Sequence, residues 1–135
     1  MKKIMKYGMS GLNYVWIEVE IKNSPEGDVI TVPLNQIEEA VAKEIIRQGV
    51  ALRGKEVEFL RKSLKLSLEK FGNLLGISAP AVLKWERASE TRLHPMNEVA
   101  VRALVAEILG VRIAGKFSVL LGQKTLPKKL VLEVA

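Results

Sequence analysis

The chain has 135 residues, 48% of them hydrophobic and 27% charged, which is enough apolar side chain for one buried core with a small appended module. It has no cysteine, which removes disulfides, thiolate nucleophiles and cysteine zinc sites. The net charge of +6 favours polyanionic partners, while the lack of both an apolar run of about eighteen residues and a secretory-type apolar segment argues against a membrane span and makes a cytoplasmic location the expectation.

From the N-terminus, Tyr14 to Ile21 alternates as a half-buried strand does, with Val15, Ile17, Val19 and Ile21 on one face and Tyr14, Trp16, Glu18 and Glu20 on the other. The stretch NSPEGD is a turn and Val29–Val32 a return strand, so a hairpin is predicted over Tyr14–Val32. Asn35, after Pro33, is placed to cap a helix over Gln36–Arg47 with Ile37, Val41 and Ile45 as its apolar stripe. A second helix is predicted over Gly54–Leu64, with Val57, Leu60 and Leu64 inward and Phe59 nearby.

The segment Leu66–Arg87, LSLEKFGNLLGISAPAVLKWER, reads as a helix-turn-helix. Ser67 can cap a helix whose apolar side is Leu68, Phe71, Leu74 and Leu75, and Gly76 stops it. Ser78 can cap the next helix, with Pro80 in its first turn, where no intrahelical donor is lost, and Val82 and Trp85 on its buried side. Gly72 is the most specific detail. A mid-helix glycine costs about 0.8–1 kcal/mol relative to alanine, so its presence implies a close crossing that admits no larger side chain. Beyond it, Met96–Leu109 is predicted as a helix carrying Val99, Ala103, Ala106 and the leucines and valines around them, closed by Gly110. Arg112–Leu121 is predicted as a further helix, since Ile113, Phe117, Leu120 and Leu121 share a face, and KKLVLEV at 128–134 as a strand that needs a partner edge, for which the N-terminal hairpin is the candidate, within one chain or across a dimer.

At these residues the chain resembles the Cro/repressor-like (XRE) helix-turn-helix family. GKEVEFLRKSLKLS, FGNLLGIS and VLKWER are similar to its opening helix, first motif helix and recognition helix. The resemblance is closest to the branch of YgiT/MqsA-like and HigA-like antitoxins, and it spans residues 6–110, the Leu52–Leu93 part specifically and the rest loosely. It implies a dimeric, antitoxin-like autorepressor that binds an inverted-repeat operator in double-stranded DNA, with a toxin protein as a possible partner. In the family's arrangement an arginine on the opening helix meets a glutamate at the end of the recognition helix. FLRK and KWER supply Arg61 and Glu86 at the matching places. The chain departs from the family in lacking the zinc-binding cysteines of some members, so an N-terminal module that folds without metal is expected. A second departure is Ala88, where glycine commonly follows the recognition helix.

Such a motif reads bases with the first turns of its second helix, while neighbouring groups hold phosphates. The reading positions are Ala79, Pro80, Ala81, Leu83 and Lys84, with Lys84 the one long donor and the alanines suited to thymine methyl groups. So few polar readers leave part of any specificity to DNA shape. Phosphate contacts are expected from Ser67 and the helix start behind it, from the Ser78 cap, and from Lys70, Arg87 and Arg92, with Lys62 and Lys65 at the margin. Trp85 belongs to the core rather than to a stacking platform. Charge follows the motif, because residues 52–93 carry nine basic and five acidic groups, 94–135 six and three, and 1–51 six and seven.

An enzyme is not expected. His94 is the single histidine, the glycines form no phosphate loop, and the pairs Glu18/Glu20, Glu38/Glu39 and Glu56/Glu58 read as solvated faces. No cofactor or metal is called for. The expected fold is mainly α with a small β element: an N-terminal hairpin-and-helix module at 1–51, a five-helix-type helix-turn-helix domain at 52–110, and a helix and strand at 111–135 as a possible dimerisation element. The rival reading is a protein-interaction module that uses the helix-turn-helix only as scaffold.

Overall fold

The computed structural model describes residues 1–113 and 126–134. Its sheet is organised around one strand, β2 (Val15–Ser24), whose Val15, Ile17, Val19 and Ile21 alternate onto one face and are all buried there. β3 (Gly27–Ile30) returns antiparallel to Ile21–Ser24, so the expected hairpin is present but its return strand starts at Gly27 rather than Val29 and its turn is tighter than NSPEGD, Asn23–Ser24 pairing with Gly27–Asp28. β1 (Lys2–Lys6), which the sequence pattern does not announce, pairs antiparallel with Trp16–Glu20. β4 (Leu130–Val134) runs parallel to Val15–Val19 and so finds its partner edge within the same chain. The Ile21 amide donates to the Met1 carbonyl, whereas the Thr31 amide donates to that of Glu20. Successive residues of a strand face opposite edges, so β1 lines one edge of β2 while β3 and β4 lie end to end along the other.

Helix α1 (Leu34–Arg47) buries Ile37, Val41, Ala42, Ile45 and Ile46. Pro33, not Asn35, precedes it. The Pro33 carbonyl accepts the Ile37 amide, and Asn35 lies inside the first turn, its Oδ1 accepting from Gln36. The remaining helices are α2 (Gly54–Ser63), α3 (Leu68–Leu75), α4 (Ala79–Arg87) and α5 (Pro95–Leu109). Five helices and a four-stranded sheet make the described residues mainly α with a small β element. A single buried cluster runs from Tyr7 on the sheet side through Val57, Phe71, Val82 and Val105 to Val134. The sheet thereby joins the first and last of the segments into which the sequence divides.

Two sequence expectations about which side faces inward are corrected, for α3 and Tyr14, and the inward side of α5, which the sequence leaves open, is defined. α5 buries Val101, Val105 and Ala106 together with Glu98 and Arg102, while Ala103 is exposed and Val99 only half-buried, because this helix is apolar nearly all round and its sequence marks no single face. On α3 the inward stripe is Leu68, Phe71, Gly72 and Leu75, at the i, i+3, i+4, i+7 spacing, which leaves Leu74 57% exposed. Tyr14 turns inward ahead of β2, and its hydroxyl donates to Glu56 at 3.2 Å. The helix expected over Arg112–Leu121 lies, beyond its first two residues, outside the described residues. Among those residues no helix is long and apolar enough to cross a membrane.

Candidate nucleic-acid interface

Local chemistry fixes α3 and α4 as two helices around a tight turn. The Ser67 hydroxyl accepts the Lys70 amide at 3.1 Å and starts α3, and Gly76, at φ 75°, ends it in the left-handed conformation that glycine tolerates best. The chain then folds back so that the Ile77 amide donates to the Gly72 carbonyl at 2.9 Å. A side chain on Gly72 would bring its Cβ to 2.6 Å from the Ile77 carbonyl oxygen, which accounts for the mid-helix glycine. It is the turn, rather than the body of the second helix, that crowds this position. Ser78 caps α4 by accepting the Ala81 amide at 3.3 Å, with Pro80 in the first turn. Gly54, at the start of α2, abuts the other end of α4, where a Cβ would collide with the carbonyls of Trp85 and Ala88.

Three carboxylate-centred clusters hold this unit together. Arg61 on α2 grips Glu86 on α4 with both arms of its guanidinium, Nε to Oε2 at 2.7 Å and Nη2 to Oε1 at 2.9 Å, and its Nη1 donates to the Leu66 carbonyl at 3.0 Å. Glu86 is buried and the Arg61 side chain nearly so, and the hydrogen bond to Glu86 raises the arginine's pKa. The pairing that the resemblance implies is thus present. Glu56, expected on a solvated face, is fully buried. It accepts from the Arg53 amide at 2.9 Å and from its Nε and Nη2 at 2.8 and 2.6 Å, as well as from Tyr14. Burial, reinforced by the Glu56 charge, raises the Tyr14 pKa well above the usual phenol range. Glu98 accepts from the Leu52 amide at 2.5 Å and from Arg92 at 2.8 and 3.1 Å, and lies 3.8 Å from Arg102. Arg102 is fully buried, donates to the Val50 carbonyl at 2.9 Å, and has its pKa lowered by desolvation.

These clusters sort the cations. Between Arg53 and Arg102, Arg53, Lys55, Arg61, Lys62, Lys65, Arg92 and Arg102 each have a carboxylate partner. Lys70, Lys84 and Arg87 have none among the described residues, and all three are exposed. Pro80, Leu83, Lys84 and Arg87 form one stripe of α4 at the 3- and 4-residue intervals of a helical face, opposite Val82 and Glu86. Of the expected reading residues, Pro80 and Lys84 are exposed, while Ala79, Ala81 and Leu83 are half-buried. Ser67 and Ser78 stand exposed at the two helix starts.

Arg92 is placed differently from expectation. Its guanidinium is held by Glu98 and directed inward, so it serves the junction between α2 and α5. Lys62 and Lys65 are likewise engaged, with Glu58 and Glu38. The Arg53–Glu56 and Glu98–Arg102 clusters were not legible in advance, although Glu56 does stand at the third position of its helix, where a carboxylate can reach back to the capping residue. No group of three or more histidine, aspartate or glutamate side chains able to hold a metal ion occurs among the described residues. Compared with protein-family models, with curated proteins and with solved structures, the chain matches none.

Proposed function

We propose that the protein is a sequence-specific DNA-binding regulator of transcription, with α3 and α4 acting as a helix-turn-helix of the Cro/repressor type and two copies binding an inverted repeat. The observation that carries this reading is the sorting of charge: of the three cations in the helical unit without a carboxylate partner among the described residues, Lys84 and Arg87 lie on the outer stripe of α4 and Lys70 in the first turn of α3. A cation without a fixed partner can give its full charge to a phosphate and release condensed counterions, whereas one already locked to a carboxylate must first break that pair.

In this mechanism Lys84 reaches a base edge, where guanine O6 and N7 are the acceptors its ammonium suits, and Ala79 and Ala81 lie against thymine methyl groups. Lys70, Arg87 and the Ser67 hydroxyl hold phosphates on either side and set the register. The Arg61–Glu86 fork fixes the angle between α2 and α4, so the reading stripe is presented by a rigid support. The antitoxin-like version of the proposal places the operator beside the protein's own gene.

Selection from a randomised double-stranded DNA pool tests the reading. The expected product is an inverted repeat with half-site centres about 10 base pairs apart, or a multiple of that spacing. A pool without enrichment, together with Lys70→Ala, Lys84→Ala and Arg87→Ala variants that bind DNA as the parent does, overturns it in favour of a scaffold role for α3 and α4.

A further inference from the structure

Among the described residues, β4 uses only one of its two edges. The Leu130 amide donates to the Tyr14 carbonyl at 2.8 Å, so the even-numbered residues of this strand direct their backbone groups to β2. Lys129, Val131 and Glu133 therefore direct theirs to that edge, and their side chains share the outer face of the sheet: Lys129 lies over the Trp16 ring, Val131 is 47% exposed, and Glu133 is exposed while pairing with Lys2 of its own chain, a pair that the partner's Lys129 would join or displace. Next to β4 lies an open groove of about 460 Å³ whose opposite wall includes Glu39, Lys43 and Arg47 of α1.

We infer that this edge pairs with β4 of a second copy of the chain, antiparallel about a two-fold axis through Val131, to give one continuous eight-stranded sheet. The register follows from the residues. With Val131 opposite its own symmetry mate, every outward-facing amide and carbonyl of one strand meets one on the other, as the narrow pairs of an antiparallel ladder require. Lys129 then stands directly opposite Glu133 of the partner, twice, on either side of an apolar Val131 pair. Opposite charges at facing positions stabilise such a ladder and like charges oppose it. The same operation at β1 places Lys2, already paired with Glu133, against Lys6, so that edge offers its own copy no facing acid–base pairs. A surface that is complementary to itself is what an isologous dimer needs.

The inference rests on the proposed function only in expecting two copies, and its test is carried out without DNA. Sedimentation of the full chain should show a concentration-dependent dimer. Val131→Pro removes an amide that faces the free edge but none that pairs with β2, so it should give a monomer that melts with unchanged helical and strand signal. Lys129→Glu and Glu133→Lys should each weaken association at least tenfold, and the double variant should restore it. Val131→Cys, in a chain without other cysteines, should form an intermolecular disulfide on mild oxidation, since facing residues of a narrow pair lie about 5.5 Å apart between Cα atoms. A monomer at all concentrations, or a dimer indifferent to Val131→Pro and to the charge exchange, overturns the inference. A dimer that passes these tests yet enriches no DNA sequence leaves the inference standing and removes the DNA-binding reading instead.

Discussion

Glu86 and Arg87 are adjacent on α4 and meet opposite surroundings. Glu86 turns inward to the Arg61 fork and is buried, whereas Arg87 projects into solvent with no carboxylate partner among the described residues. The same helix thus carries one charge locked to a neighbouring helix and one exposed charge without such a lock. The difference is that some charges of this unit are locked into the fold and others are not, and the proposed function assigns the second group to DNA by partnership rather than by residue type. Arg92 makes the point from the other direction, since by sequence it belongs with Arg87 and by structure with Arg61.

The comparison can be broken most severely from the inside. Glu86→Ala leaves the Arg61 guanidinium buried without its carboxylate, and urea denaturation should show a loss of about 3–5 kcal/mol. Arg92→Ala should follow at about 1.5–3 kcal/mol, by loss of the charge-assisted hydrogen bonds to Glu98. It should leave the salt dependence of DNA binding unchanged in whatever fraction remains folded. A flattened salt dependence for that variant would put Arg92 back among the phosphate contacts.

On the outer side the expectation reverses, with stability almost unchanged and DNA binding altered. Lys84→Ala should cost about 1–3 kcal/mol at one base pair of the preferred site and little at the others, measured by competition with single-base variants of the selected DNA. Lys70→Ala and Arg87→Ala should weaken all sequences alike, each lowering the slope of log affinity against log salt by about one unit.

Tyr7 gives the smallest effect at neutral pH. Its buried hydroxyl has no hydrogen-bond partner among the described residues, so Tyr7→Phe should change stability by less than about 1 kcal/mol or increase it. Burial pushes the Tyr7 hydroxyl up to about 12, above its ordinary value near 10. The folded state therefore holds this proton more tightly than the unfolded state does. Its contribution is fully present below pH about 10 and is lost as the pH rises towards 12, and Tyr7→Phe should make that alkaline fall shallower.

What the sequence disclosed, and what it hid, follows from the range of the interactions. The Ser67 and Ser78 caps, the Gly76 stop and the Gly72 contact act within a few residues, and each is legible from spacing alone. The β2–β3 hairpin is legible for the same reason. Arg61 and Glu86 are 25 positions apart and could be paired only through the family resemblance. Glu56, Glu98 and Arg102 were hidden because a charged side chain is ordinarily assigned to the surface, and only the folded chain brings each its partners. β1 was hidden for a related reason: KKIMK carries three lysines in five residues and shows no apolar alternation, yet as an edge strand it can keep them all in water.

The parallel pairing of β2 with β4 also has a kinetic meaning. It joins residues more than one hundred positions apart, whereas α2, α3 and α4 touch one another within a few dozen. Closing the longer loop costs chain entropy before any contact is gained, so the helical unit is expected to form first and the sheet to be completed late. In the interval the edge of β2 awaiting β4 is open, and β4 of another molecule can occupy it as well as the chain's own. Refolding at high protein concentration is therefore the condition under which exchanged strands should accumulate, and dilute refolding the condition that suppresses them.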